Sequence, residues 1–283
     1  MNHHQPGIQC LRRTQCHRIQ STRTYSVLRN RPTSPTSRLS LIPGTMCDNR
    51  LWNRMLPVFG KANILVDQVP IHQAANKNSM REMIASSVRG ENLQDQKLPV
   101  DLLGFSMGGY LALDYYFRTL VSDGHTLNHQ VRSLVIVCSS AKGLGEKERI
   151  RRIQMLDLMS KHAYAGISPS RIAKFVSPGL VDDPEVGGLM AAMDKDLGKD
   201  VLLTQFSTTL DRENFMLGLK EIRVPVLIVG AEADQMVRTT DIYCMHERIK
   251  DSKLVMFEDV GHMVPLEAPE RLATTVLDFM SGL

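Results

Sequence analysis

Residues 99–120, PVDLLGFSMGGYLALDYYFRTL, pass from an apolar strand-like run into a helix-like run with no room for a loop between them. The junction is Gly104-Phe105-Ser106-Met107-Gly108, a G-x-S-x-G pattern with Gly109 beyond it. A strand that turns this abruptly into a helix strains its turning residue, and side chains two positions before and after would collide. Glycine at both positions removes the collision. The Ser106 hydroxyl is then exposed above the sheet, and the Met107 N–H and the positive end of the helix point toward the same site. A plain turn serine in a glycine-rich corner would satisfy the same pattern, so the remaining chain must decide between the two.

The flanking segments extend the alternation. RLSLIPG, NILVDQVP, PVDLLGF, VRSLVIVCSS, VPVLIVGAEAD and SKLVMFEDV are short apolar or β-branched runs bounded by turn residues, and they read as strands. NSMREMIASSV, opened by Asn78 or Ser79, MGGYLALDYYFRTL and the closing APERLATTVLDFMSGL read as helices. Such an order predicts an α/β fold over residues 38–283, with a mostly parallel central sheet flanked by helices. Over residues 144–220 the strand signal vanishes. EKERIRRIQMLDLMSKH, with Ile150, Ile153, Leu156 and Met159 at helical spacing, PEVGGLMAAMDKDL and KDVLLTQFSTTLDRENFMLGL all read as helical. They predict a helical cap inserted within the α/β domain.

Composition narrows the function classes. At 283 residues, 43% hydrophobic and 23% charged, the chain can bury one large core. No apolar run reaches bilayer length, so no stable membrane insertion is expected. The net charge of +4 is concentrated at one end: the first 47 residues hold seven arginines and no acidic residue, leaving 27 Lys and Arg against 30 Asp and Glu. That balance lacks the basic footprint of a nucleic-acid partner. Five scattered cysteines form no C-x-x-C pair, so neither zinc nor redox chemistry is indicated, no metal or cofactor is expected, and the setting is a reducing, cytoplasmic one. Residues 1–37 are rich in Arg, Ser, Thr, Gln and Pro without apolar periodicity, and read as a disordered leader. Their acid-poor composition equally fits a transit segment, with RTYS at residues 23–26 as a processing site, which would make the location mitochondrial.

A serine needs an oriented base to react, and the base needs a carboxylate. Of nine histidines, only His262 in EDVGHMVPLEAPERL follows a strand end and a glycine. His72, in the loop after the second strand, is the runner-up. VLIVGAEADQMV ends a strand with Glu232 and Asp234; Asp234 lies further into the loop and can turn toward His262. The preceding strand end, VCSSAKG, offers no carboxylate, which strengthens Asp234. Two N–H donors must also meet a developing oxyanion. Met107 is one, and the loop LIPGTMCDNRLW supplies the other from Thr45 or, less favourably, Met46.

Taken together and in this order, LIPGTMCDNRLW, GFSMGGYLAL, VPVLIVGAEADQMV and GHMVPLEAPERL resemble the α/β-hydrolase superfamily, in its compact esterase-like branch. The resemblance covers residues 38–283, the cap matching only in position and helical character. It implies Ser106, Asp234 and His262 as a catalytic triad and Thr45 and Met107 as oxyanion donors. Two positions depart from the common pattern: Pro43-Gly44 stands for His-Gly, and DQVPIHQ replaces Arg-Gly-x-Gly. The implied partner is a small-molecule substrate, in the first instance a carboxylic ester. Thioester, lactone and carbon–carbon bond hydrolysis use the same parts, and a non-catalytic small-molecule receptor retaining the pocket is the alternative outside enzymes. The sequence leaves the oligomeric state open. Most of the sixteen methionines are expected in the core, with a few beneath the cap; Trp52 is expected to anchor the helix that follows it.

Overall fold

The computed structural model describes residues 37–91, 98–122 and 130–283. Strands β1 (Arg38–Ile42), β2 (Leu65–Gln68), β3 (Val100–Phe105), β4 (Val131–Val137), β5 (Val226–Ala231) and β6 (Ser252–Phe257) form one sheet, paired in parallel throughout, in the order β2-β1-β3-β4-β5-β6. The winding direction reverses at β1, whose neighbours are β2 on one side and β3 on the other. In open parallel sheets the crevice at such a reversal, outside the carboxyl ends of the strands, is where ligands bind. Ile42 is in register with Gly104, so Pro43-Gly44 and Phe105-Ser106 leave the sheet side by side at that crevice.

Alternation along each strand divides the core between the two faces. Leu103, Phe105, Val135, Val137, Leu227 and Val229 point into one apolar cluster, with Trp52 and Phe59; Leu102, Leu134, Ile136, Val226 and Ile228 point into the other. The first face is covered by α1 (Leu56–Lys61), α8 (Val264–Glu267) and α9 (Pro269–Ser281). The second is covered by α2 (Lys77–Arg89), α3 (Met107–Ser122) and α7 (Thr239–Arg248). Period-two side-chain direction makes both faces apolar at once, which is why these strands read as continuous apolar runs.

Helix α2 begins earlier than NSMREM alone suggests. Asn76 is its N-cap, and a reciprocal capping box with Ser79 satisfies two amides that the helix cannot. Between β4 and β5 lie α4 (Glu146–Lys161), α5 (Pro169–Ile172) and α6 (Gly187–Thr208). The two helical runs expected from PEVGG onward are both present within α6, separated by a kink at Gly198 (φ 72°), and the second stops at Thr208 rather than continuing to Leu219. The α4 stripe does not face a core: no α4 residue is buried, and Ile150 and Ile153 are 45% and 42% exposed. Of the methionines assigned to this segment, Met190, Met193 and Met216 are buried, whereas Met155 is exposed. The leader expected at residues 1–37 lies outside the described residues except for Ser37. Among the described residues no helix is long and apolar enough to cross a membrane.

Arg38 opens β1 yet is only 1% exposed. Its Nε donates to Leu98 O (2.8 Å) and its Nη2 to Val88 O (2.7 Å), the latter in the last turn of α2, where a cation offsets the helix dipole. One buried guanidinium thus ties the strand before the crevice to the end of α2. Arg38→Met, of similar length, leaves those carbonyls unpaired and is expected to lower the free energy of unfolding by about 2 kcal/mol or more in urea titration.

Candidate active site

Ser106 links β3 to α3 with φ +52°, in the left-handed region that non-glycine residues seldom occupy. Two facts hold it there. Its N–H donates to Val137 O at 2.9 Å, one strand over. And the backbone is crowded on both sides: a Cβ on Gly104 would lie 2.4 Å from Gly108 O, and one on Gly108 would lie 2.1 Å from Ile42 O. The two glycines of the pattern are therefore required by contact with main chain, which has nowhere to move. The serine sits just before the first turn of α3, where the dipole favours negative charge.

His262 follows the end of β6, is 3% exposed, and brings Nε2 to 3.0 Å from Ser106 Oγ. Its Nδ1 lies 2.8 Å from Asp234 Oδ2. A carboxylate can only accept, so Nδ1 carries the proton and Nε2 of the neutral ring is free to accept from the serine hydroxyl. Asp234 is itself fixed: its Oδ1 accepts the N–H groups of Met236 (2.6 Å) and Val237 (3.0 Å). The Phe105 and Phe175 rings flank the imidazole at 5.2 and 5.8 Å. Glu232, the other acid considered, is exposed. His72 lies beside Asp48 and Arg50 with its Nδ1 buried and without a partner among the described residues, and burial holds its pKa below the ordinary value.

The β1 loop presses against the elbow. A Cβ on Gly44 would lie 2.9 Å from the Phe105 ring and 3.3 Å from Ser106 Cβ. Thr45 Oγ1 contacts Met107 Sδ at 3.6 Å, so the two residues expected to serve an oxyanion are neighbours. Their main-chain N–H groups donate to no acceptor among the described residues. Met46 (φ +54°) differs: its N–H donates to Gln205 Oε1 at 2.8 Å. That amide is occupied, whereas the Thr45 amide has no acceptor among the described residues.

Two residues at the site, Glu267 and Gln205, escaped sequence reasoning. Glu267 lies within the quoted GHMVPLEAPERL, where nothing singles it out. Its Oε2 accepts from Gly261 N (3.0 Å), Ser177 N (2.9 Å) and Ser177 Oγ (2.7 Å), tying the histidine loop to the segment between α5 and α6. The Met263 N–H adds a bond to Phe175 O (3.1 Å). Gln205, deep in a polar-looking helix, had no distinguishing signal. Cys138 ends β4 with φ +45° and is fully buried. Its Sγ and ligand-type atoms of Asp234 and His262 lie within 4.8 Å of one another. Burial and, next, the Asp234 charge push the thiol well above its usual pKa. A neutral thiol beside a carboxylate already committed to two amides and an imidazole is poor metal-binding chemistry.

Residues 74–275 match the family described as the alpha/beta hydrolase family. Among curated proteins, the chain is 27% identical over 188 residues to a pimeloyl-(acyl-carrier protein) methyl ester esterase of Neisseria meningitidis, covering 65% of this chain and 70% of that one. It is 22% identical over 280 residues to the monoacylglycerol lipase ABHD6 of Bos taurus, covering 90% and 78%. Among solved structures, a thermophilic esterase from Thermogutta terrifontis superposes with a TM-score of 0.74 at 17% identity, over 88% of this chain and 91% of that one. MenH from S. aureus superposes at 0.69 and 20% identity, over 88% and 95%.

The contacts at the elbow and the histidine loop set two expectations. Gly108→Ala forces a methyl into Ile42 main chain and should lower the thermal midpoint by several degrees, read by circular dichroism. Glu267→Ala should cost about 2 kcal/mol or more in denaturant by leaving the Gly261 and Ser177 donors unpaired, and Glu267→Gln, which keeps an acceptor, should cost less.

Proposed function

As the chain belongs to the alpha/beta hydrolase family, we propose that it is a serine hydrolase acting on carboxylic esters, with Ser106, His262 and Asp234 as its triad. The observation that carries this reading is the continuous hydrogen-bond path from Ser106 Oγ through the imidazole to a carboxylate whose other oxygen is held by two amides. The path begins at a serine placed at a helix N-terminus. In the proposed reaction Ser106 Oγ attacks the acyl carbon as His262 Nε2 takes its proton, and Asp234 stabilises the resulting imidazolium. The N–H groups of Thr45 and Met107 bind the tetrahedral oxyanion. His262 then gives the proton to the leaving alkoxide, and the acyl-enzyme is opened by a water that His262 activates. No metal or cofactor enters these steps.

Two observations favour an ester of an aliphatic acid over the thioester, lactone and carbon–carbon alternatives. The imidazole beside the serine packs between the Phe105 and Phe175 rings, and the Met107 thioether lies against Thr45. And both curated relatives carry names that describe ester cleavage. In this reading residues 144–220 are a cap over the crevice, and the leader's address is either cytoplasmic or mitochondrial.

Incubation with a fluorophosphonate probe is expected to label Ser106, and short p-nitrophenyl esters to be turned over. Ser106→Ala should abolish labelling and lower kcat by about 10⁴-fold or more, and Asp234→Asn, which favours the wrong histidine tautomer, by about 10⁴-fold. Absence of both labelling and turnover in the wild type would sink the enzyme reading. Hydrolysis by Ser106→Ala at the parental rate would refute the assignment of the nucleophile.

A further inference from the structure

Gln205 lies in the part of α6 beyond the break at Gly198 and is 1% exposed. Its Oε1 accepts the Met46 N–H at 2.8 Å. A main-chain amide only donates, so this bond fixes which end of the side-chain amide faces the loop. The Nε2 end is therefore turned away with two donors, and it is buried with no partner among the described residues. Buried polar groups are nearly always paired, and an unpaired donor is costly, so its retention calls for an acceptor that arrives from outside. Met46, the residue this side chain holds, is next in the chain to Thr45, whose amide is proposed to meet the oxyanion.

The charges nearby limit what that acceptor is. Asp48, Asp194 and Asp196 all lie around this loop, the first and last paired with Arg50, and Asp194 acts on the adjacent Cys47, whose thiol burial and Asp48 push up to about 12. With Arg152 bonded to Thr209 one turn along, no single sign of charge prevails, but a neutral amide does not offset the cost of burying a charged group, which leaves an uncharged oxygen: a hydroxyl, carbonyl or ether.

Resting on the ester hydrolase reading above, we propose that Gln205 Nε2 donates to a second, uncharged oxygen of the substrate, so that oxygen-bearing esters are preferred to plain alkyl esters. Gln205 thus determines specificity through Nε2 and positions the oxyanion loop through Oε1.

Matched pairs separate the two roles. The acyl pair is p-nitrophenyl 3-hydroxybutyrate against p-nitrophenyl butyrate; the alcohol pair is glyceryl monobutyrate against propyl butyrate. The wild type should favour the oxygenated member of at least one pair by about 10-fold or more in kcat/KM. Gln205→Met should bring that ratio close to one, because a lost loop contact slows both members alike, whereas a lost donor slows only one. An unchanged ratio in Gln205→Met, or no preference in either pair for the wild type, overturns the proposal even if the variant cannot be purified folded. If the wild type cleaves no ester, the hydrolase reading falls. The Gln205 contact is then decided apart from it, by thermal shift of Ser106→Ala protein with methyl 3-hydroxybutyrate and methyl butyrate: a larger shift with the former supports the contact, and equal shifts refute it.

Discussion

The local geometry of this molecule depends on one peptide turn that a serine would not adopt unaided. Ser106 stays at φ +52° because β3 turns into α3 where Gly104 is packed against the main chain of Gly108, and Gly108 against that of Ile42. Strain of this kind persists where the surroundings over-determine it. Here they are the parallel register of β1, β3 and β4 and the bond from Ser106 N–H to Val137 O. The sheet's reversal at β1 then decides which loop faces the elbow. No part of the crevice is assembled independently of the sheet.

The polar groups around the serine are ordered by successive commitments. Two amides claim one oxygen of Asp234, so the other faces His262; that bond sets the tautomer, and the tautomer leaves Nε2 as an acceptor toward Ser106. Cys138 occupies the end of β4, beside the same carboxylate, as a neutral buried group. A second acid at that strand end would have placed two charges against one imidazole.

Much of the fold was legible because it rests on local pattern. The period-two apolar runs, the Gly-flanked serine and the strand ends bearing Asp234 and His262 are visible without any partner. The rest depends on contacts between distant residues. Ile150 and Ile153 have helical spacing, but spacing does not say whether a core lies opposite, and for α4 none does. Asn76 was missed as a cap because Asn78 and Ser79 are equally good capping types, and only the bond to Ser79 N–H distinguishes it. Gln205 and Glu267 look like ordinary helix-surface residues; their roles arise 159 residues away at Met46 and 90 residues away at Ser177. The bond that occupies the Met46 amide is one of these long-range contacts.

The segment between β4 and β5 grips both sides of the crevice. Phe175 and Ser177 hold the histidine loop through Met263, Gly261 and Glu267, while Gln205 and Asp196 hold the β1 loop through Met46 and Arg50. Because one segment supports both, a displacement of it reaches the bases of His262 and of the β1 loop together, so the two sides of the crevice cannot shift independently of each other.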